Sequence, residues 1–170
     1  REGGKPRDVT DLDQETAAAL ALRWGADETA ARRAALLHDC TKALNREQHI
    51  ALCRQNNIEP DPVELREEAL LHAKSGAVVA EYVFGERADV VSAIRFHTTG
   101  KTEKIIYLAD YIEPTRAFRD LSRVRELADQ DLDRAVLMAL SMSVEHLEQK
   151  GGEVHPDSVC ARDYLKGMLS

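Results

Sequence analysis

Residues 131–152 read Asp131-Leu132-Asp133-Arg134-Ala135-Val136-Leu137-Met138-Ala139-Leu140-Ser141-Met142-Ser143-Val144-Glu145-His146-Leu147-Glu148-Gln149-Lys150-Gly151-Gly152. Leu132, Ala135, Val136, Ala139, Leu140, Val144 and Leu147 keep an i, i+3, i+4, i+7 rhythm until the glycine pair stops it, which predicts one long amphipathic helix. The same period extends outward along the chain. Ala17, Leu20, Ala21 and Trp24 form a helical stripe closed by Gly25. Asp27 is placed to cap a second helix that carries Ala30, Ala34 and Leu37 inward. Asp61-Pro62-Val63-Glu64 sets a capping carboxylate before a proline at the first helical position, so another helix starts there. Further helices run through Ala69, Leu70, Ala73, Ala77 and Val78 to Gly85, and from Val90 to Phe96. Thr102 to Ile112 is ambiguous, because Ile105-Ile106-Tyr107-Leu108 also suits a buried strand; its neighbours and the stop at Pro114 favour helix. With no strand alternation, repeat or low-complexity tract, the expected architecture is an all-α bundle. Residues 1–12 read as a loose polar arm and residues 13–170 as a single helical domain.

The chain has 170 residues, enough for one sizeable core but not for two large domains. It is 44% hydrophobic and 31% charged, a globular balance, and no apolar run approaches the ~20 residues needed to cross a bilayer. A net charge of −7 argues against broad binding to nucleic acid or to an anionic membrane, while leaving room for a local basic pocket. Cys40, Cys53 and Cys160 are odd in number and lack CxxC spacing. Free thiols in a cytoplasmic chain are therefore expected, with no apolar leader segment at the start. A homodimer is compatible with a small helical bundle, but no stripe in the sequence requires it.

Chemistry concentrates where histidines stand beside carboxylates. His38-Asp39 follows the apolar Ala34-Ala35-Leu36-Leu37, and adjacent side chains on a helix point about 100° apart. Both can ligate one ion only if it lies between their directions near the helix end; the alternative is a terminal histidine answering the helix dipole. Asp110 lies in the apolar run Tyr107-Leu108-Ala109-Asp110-Tyr111-Ile112. A buried carboxylate needs a cation, hydrogen bonds or a metal. His72, in Leu70-Leu71-His72-Ala73, is either a hydrogen-bonded core histidine or a ligand. His49 and His146 read as solvated, and Trp24 and Tyr82 as core.

In combination, His38-Asp39, His72, His97 and Asp110, all on helices, resemble the HD-domain metal phosphohydrolases. The strings His38-Asp39-Cys40-Thr41-Lys42, Phe96-His97-Thr98-Thr99-Gly100, Ala109-Asp110-Tyr111-Ile112-Glu113-Pro114 and Gly151-Gly152-Glu153-Val154-His155-Pro156 are similar, more narrowly, to the YqeK-type symmetrical diadenosine tetraphosphate hydrolases. The similarity runs from about residue 13 to residue 165. It implies an HD-domain helical bundle with a divalent metal, iron by the family's usual description, with manganese or another divalent ion left open. His38, Asp39 and Asp110 match the metal ligands, and Asp39 is also placed to orient a water. The implied substrate is a dinucleoside polyphosphate split in the middle to two ADP. Asp39, Lys42, Asp110 and Arg116 match positions that contact the nucleotide. His72 and His97 match histidines near the phosphates, where they would donate hydrogen bonds, protonate the leaving group or ligate a second ion. Glu153, Val154, His155 and Pro156 match a segment lining the nucleotide, mainly through backbone.

One departure matters. Val9 stands where the family carries a further metal histidine, and the segment from Gly100 to Asp110 is shorter than usual. The metal thus loses an imidazole unless Asp8, Asp11 or Asp13 takes its place. Two readings follow: a metal-dependent hydrolase, or a nucleotide-binding helical module with impaired or no hydrolysis.

Overall fold

The computed structural model describes residues 9–96 and 100–170, with backbone alone at 9 and 10. Every regular element among them is helical: α1 (Val9–Trp24), α2 (Glu28–Leu37), α3 (Arg46–Gln55), α4 (Pro62–Arg66), α5 (Leu71–Tyr82), α6 (Ala88–Phe96), α7 (Lys101–Ile112), α8 (Leu121–Gln130), α9 (Leu132–Gln149) and α10 (Pro156–Met168). The helix starts are set by local chemistry. The Asp27 carboxylate accepts from the Ala30 N–H at the head of α2, and Asp131 accepts from Arg134 N–H at the head of α9. At α4, Asp61 accepts from the N–H groups of Val63 and Glu64 while the Glu64 carboxylate accepts from Asp61 N–H, a reciprocal capping box.

Three sequence expectations are corrected. α1 begins at Val9, so residues 9–12 belong to the first helix rather than to an arm; residues 1–8 lie outside the described residues. The helix expected through Ala69 to Gly85 is interrupted. A 3₁₀ turn, Glu68–Leu70, precedes α5 because Glu67 takes φ −104°, ψ 87° and breaks the α-helical path. Tyr82 is not core: it is the last residue of α5 and is 61% exposed, and the following Val83 and Phe84 are exposed as well. Trp24 does pack on the core, and its indole N–H donates to Ala128 O at 2.9 Å.

The α1–α2 interface is built from Ala17, Ala21, Ala30, Ala31, Ala34 and Ala35, all buried. Small side chains let the two helices approach closely, which fixes the direction in which α2 ends and His38 begins. α7 packs against α1, α2, α6, α8 and α9. A helix enclosed on several sides is apolar nearly all round, and this is why Ile105-Ile106-Tyr107-Leu108 mimicked a strand. Ile105, Ile106, Leu108 and Ala109 are all essentially inaccessible, so Asp110 is carried on the most firmly held element of the bundle. No helix among the described residues is long and apolar enough to cross a membrane.

Leu108 is fully buried at the centre of this packing. Leu108→Ala is expected to cost about 2–5 kcal/mol of unfolding free energy in urea titrations monitored by circular dichroism, through lost burial and a residual cavity. A change under about 0.5 kcal/mol, the level of a neutral surface substitution, would contradict the central placement of α7.

Candidate metal and phosphate site

His38 is the C-terminal cap of α2, and its ring is almost completely buried. Nδ1 lies 2.8 Å from Ala35 O. A carbonyl only accepts, so Nδ1 carries the proton and Nε2 presents its lone pair. That Nε2 is buried and has no hydrogen-bond partner. Asp39 Oδ2 lies 3.7 Å from it and Asp110 Oδ1 3.9 Å. An imidazole lone pair flanked by two carboxylates is a borderline-nitrogen and hard-oxygen donor set of the kind that holds a first-row divalent ion, so the side chains fit a metal.

The two carboxylates are already neutralised by cations. Lys42 Nζ donates to Asp39 Oδ2 at 2.6 Å, and Arg116 donates to Asp110 Oδ1 at 2.5 Å. Burial works against ionised Asp39, but the Lys42 bond and the nearby His38 hold its carboxyl below the usual range. Arg116 is itself positioned by Arg125 of α8, whose guanidinium donates to Ile112 O, Glu113 O and Arg116 O at 3.0, 2.8 and 3.1 Å. The buried Glu113 carboxylate accepts from Thr115 N–H and hydroxyl, which shapes the turn after α7.

His72, in the first turn of α5, repeats the His38 arrangement: its Nδ1 meets Ala69 O at 2.5 Å, leaving Nε2 3.6 Å from Asp39 Oδ1. The structure thus brings His38, Asp39, Lys42, His72, Asp110 and Arg116 into one connected cluster. His97 and the following threonines lie outside the described residues. Glu153 to Pro156 pack against α4, one element before His72. His155 accepts from Asp157 N–H at Nδ1, so Nε2 carries the proton and donates to Asp61 Oδ2 at 2.9 Å. Glu153, expected to matter mainly through its backbone, has its carboxylate in a two-bond fork with Arg66.

Asp61, Glu64 and His155 are the described trio whose donor atoms all fall within 4.8 Å of one another. The His38 trio does not close that tightly, and its two carboxylates are paired instead with Lys42 and Arg116. The tighter trio is nonetheless a structural network. Asp61 and Glu64 are committed to the capping box, and Lys74 Nζ already sits 2.5 Å from Glu64 and 3.6 Å from Asp61. Burial opposes ionised Asp61, yet the Glu64 N–H and the His155 ring hold its carboxyl far below the ordinary range.

His49 corrects another expectation. It is 2% exposed rather than solvated, with Nδ1 2.7 Å from the Ser75 hydroxyl. Ser75 is 2.8 Å from the Thr41 hydroxyl and donates to Leu71 O, while Thr41 donates to His72 O. This buried network ties the loop after His38-Asp39 to the start of α5 and so sets the distance between His38 and His72. The available signal was His49 and Cys53 at i, i+4, one inward face of α3. His146 is exposed and lines an open cavity of about 610 Å³ with Tyr111, Phe118, Met142 and Gln149.

An all-helical scaffold that mounts a vicinal His–Asp pair beside a distant aspartate is that of the HD domain, and this chain belongs to the HD domain family, which it matches over residues 14–115. HD domain hydrolases bind a divalent metal. The chain is 40% identical over 157 residues to "Bis(5'-nucleosyl)-tetraphosphatase, symmetrical" of Halalkalibacterium halodurans, spanning 89% of this chain and 83% of that protein. The Bacillus subtilis protein of the same name is 35% identical over 156 residues, spanning 88% and 83%. A crystal structure from Clostridium acetobutylicum, described as a "predicted HD superfamily hydrolase involved in NAD metabolism", superposes with a TM-score of 0.90 at 38% identity, covering 98% of this chain and 92% of that one.

Burial, followed by the nearby His72, holds His49 below its ordinary pKa. A histidine depressed in the folded state contributes stability that is complete above about pH 6.5 and is lost as pH falls below it, because the unfolded chain takes up the proton first. The Tm advantage of wild type over His49→Gln should therefore shrink between pH 7 and 5 in scanning calorimetry. Parallel pH profiles would show that His49 is not held neutral in the fold.

Proposed function

We propose that this chain hydrolyses diadenosine tetraphosphate and related dinucleoside polyphosphates symmetrically, giving two ADP, with a divalent ion held by His38, Asp39 and Asp110. The observation that carries the reading is the buried, unpartnered His38 Nε2 between two carboxylates, on a chain whose sequence relatives bear the tetraphosphatase name. Iron is the expected ion, with manganese an alternative. When bound, such an ion polarises a phosphoryl oxygen and lowers the pKa of water. The free thiols of Cys40, Cys53 and Cys160 support a reducing, cytoplasmic setting.

The chain's own groups divide the work. Water attacks one of the two central phosphorus atoms, and the bond from that atom to the bridging oxygen of the central anhydride breaks. The oxygen leaves on the terminal phosphate of one ADP. Lys42 and Arg116, paired with Asp39 and Asp110 in this structure, can turn their donors onto phosphate oxygens, and the guanidinium can do so through two parallel bonds. Asp39 would orient the attacking water. The Nδ1–H of His72 is committed to Ala69 O, so Nε2 is the atom that would donate to a phosphate oxygen or hold the proton for the leaving group. His97 is assigned the same duty on the sequence motif. Glu153 to Pro156 would line one nucleotide.

Purified protein should retain a divalent metal and convert diadenosine tetraphosphate to ADP alone, read by metal analysis and anion-exchange chromatography. AMP with ATP as products, or nucleotide binding without turnover, would overturn the symmetrical-hydrolase reading. Asp110→Ala should lower both metal content and turnover by about two orders of magnitude, since even an outer-shell partner of a metal ligand is worth 10–100-fold, with helical circular dichroism retained.

A further inference from the structure

Three buried side-chain polar atoms among the described residues have no hydrogen-bond partner: Asp13 Oδ1, His38 Nε2 and Arg95 Nε. Leaving such an atom unpaired costs about 1–3 kcal/mol, so each needs a reason. Two of the three share one neighbourhood. Asp13 lies on α1, on the same stripe as the buried Ala17, Leu20 and Ala21, where the helix period calls for an apolar residue. Its side chain instead carries a carboxylate, 7% exposed, on a helix that packs against both α2 and α7, the elements of His38 and Asp110, and it feels the charges of His38, Asp110, Glu113 and Arg116. Of these groups, Glu113 is satisfied by Thr115 and Arg116 is paired with Asp110. His38 presents a lone pair, which cannot donate to a carboxylate. Among the described residues neither Asp13 Oδ1 nor His38 Nε2 meets a donor, and a cation between them would satisfy both.

We propose that Asp13 is a further ligand of the divalent ion held by His38, Asp39 and Asp110. The inference rests on the metal reading given above and adds an element to it, because α1 then contributes directly to the site alongside α2 and α7. Of the three aspartates that the sequence offers near its start, Asp8 lies outside the described residues, Asp11 is exposed and Asp13 is buried. A set of three carboxylates and one imidazole is rich in oxygen, a composition suited to harder divalent ions such as Mn²⁺.

The test is Mn²⁺ titration of the chelator-treated full-length chain, followed by calorimetry and by the rise in Tm that the ion produces. Asp13→Asn, which keeps the shape and removes the charge, should weaken Mn²⁺ affinity by about tenfold or more and reduce the ion-induced rise in Tm. Asp13→Ala should weaken it at least as much. The metal-free Tm of both variants should equal or exceed that of wild type, since a buried carboxylate without a partner has been removed. Unchanged Mn²⁺ affinity in Asp13→Asn, with Asp110→Ala weakened, would overturn the role of Asp13 and leave the hydrolase reading intact. Absence of divalent binding in wild type would sink both. A lower metal-free Tm with unchanged affinity would mark Asp13 as a purely structural acid.

Discussion

The site depends on one hydrogen bond, from His38 Nδ1–H to the Ala35 carbonyl. It is local, made within the last turn of α2, and it settles which ring nitrogen keeps its proton. Once Nδ1 is committed, Nε2 faces the interior as an acceptor, in a place where no donor of the described residues reaches it. An unpaired acceptor surrounded by carboxylates is unfavourable for the apo protein and favourable for a cation. The tautomer fixed by a backbone carbonyl thus leaves a buried histidine with the lone pair that the proposed metal site needs.

The bundle around this bond holds two ends together. The alanine interface between α1 and α2 sets where His38-Asp39 emerges, and the enclosed α7 sets where Asp110 lies. The polar network of His49, Ser75 and Thr41 links the first of these to His72. Arg125 does the same for the far side by gripping the carbonyls after α7 and fixing Arg116. Rigid mounting of this kind matters because coordination and phosphate contacts both fail with small displacements.

Charge is arranged to suit an anionic substrate on an acidic chain. A net charge of −7 would repel a polyphosphate at long range, yet Lys42 and Arg116 stand at the site itself, each stored against a carboxylate. Under the proposed function Asp39 and Asp110 would hold a divalent ion, leaving Lys42 and Arg116 free to pair with phosphate, so that ion and substrate binding would be linked through the same side chains.

The sequence alone determined the helical class, the position of most helices and the caps at Asp27 and Asp61, because these follow from spacing and from side chains bonding to their own backbone neighbours. The motif strings brought His38, Asp39, Asp110, Lys42, His72 and Arg116 forward as candidates. Tertiary structure decided what spacing cannot carry. It set the helix expected over residues 102–112 at the centre of the bundle as α7, buried His49, exposed Tyr82, joined Glu153 to Arg66, and set Asp13 in the interior. Each of these depends on which faces of distant helices meet, and contacts between residues dozens of positions apart leave no period in the sequence.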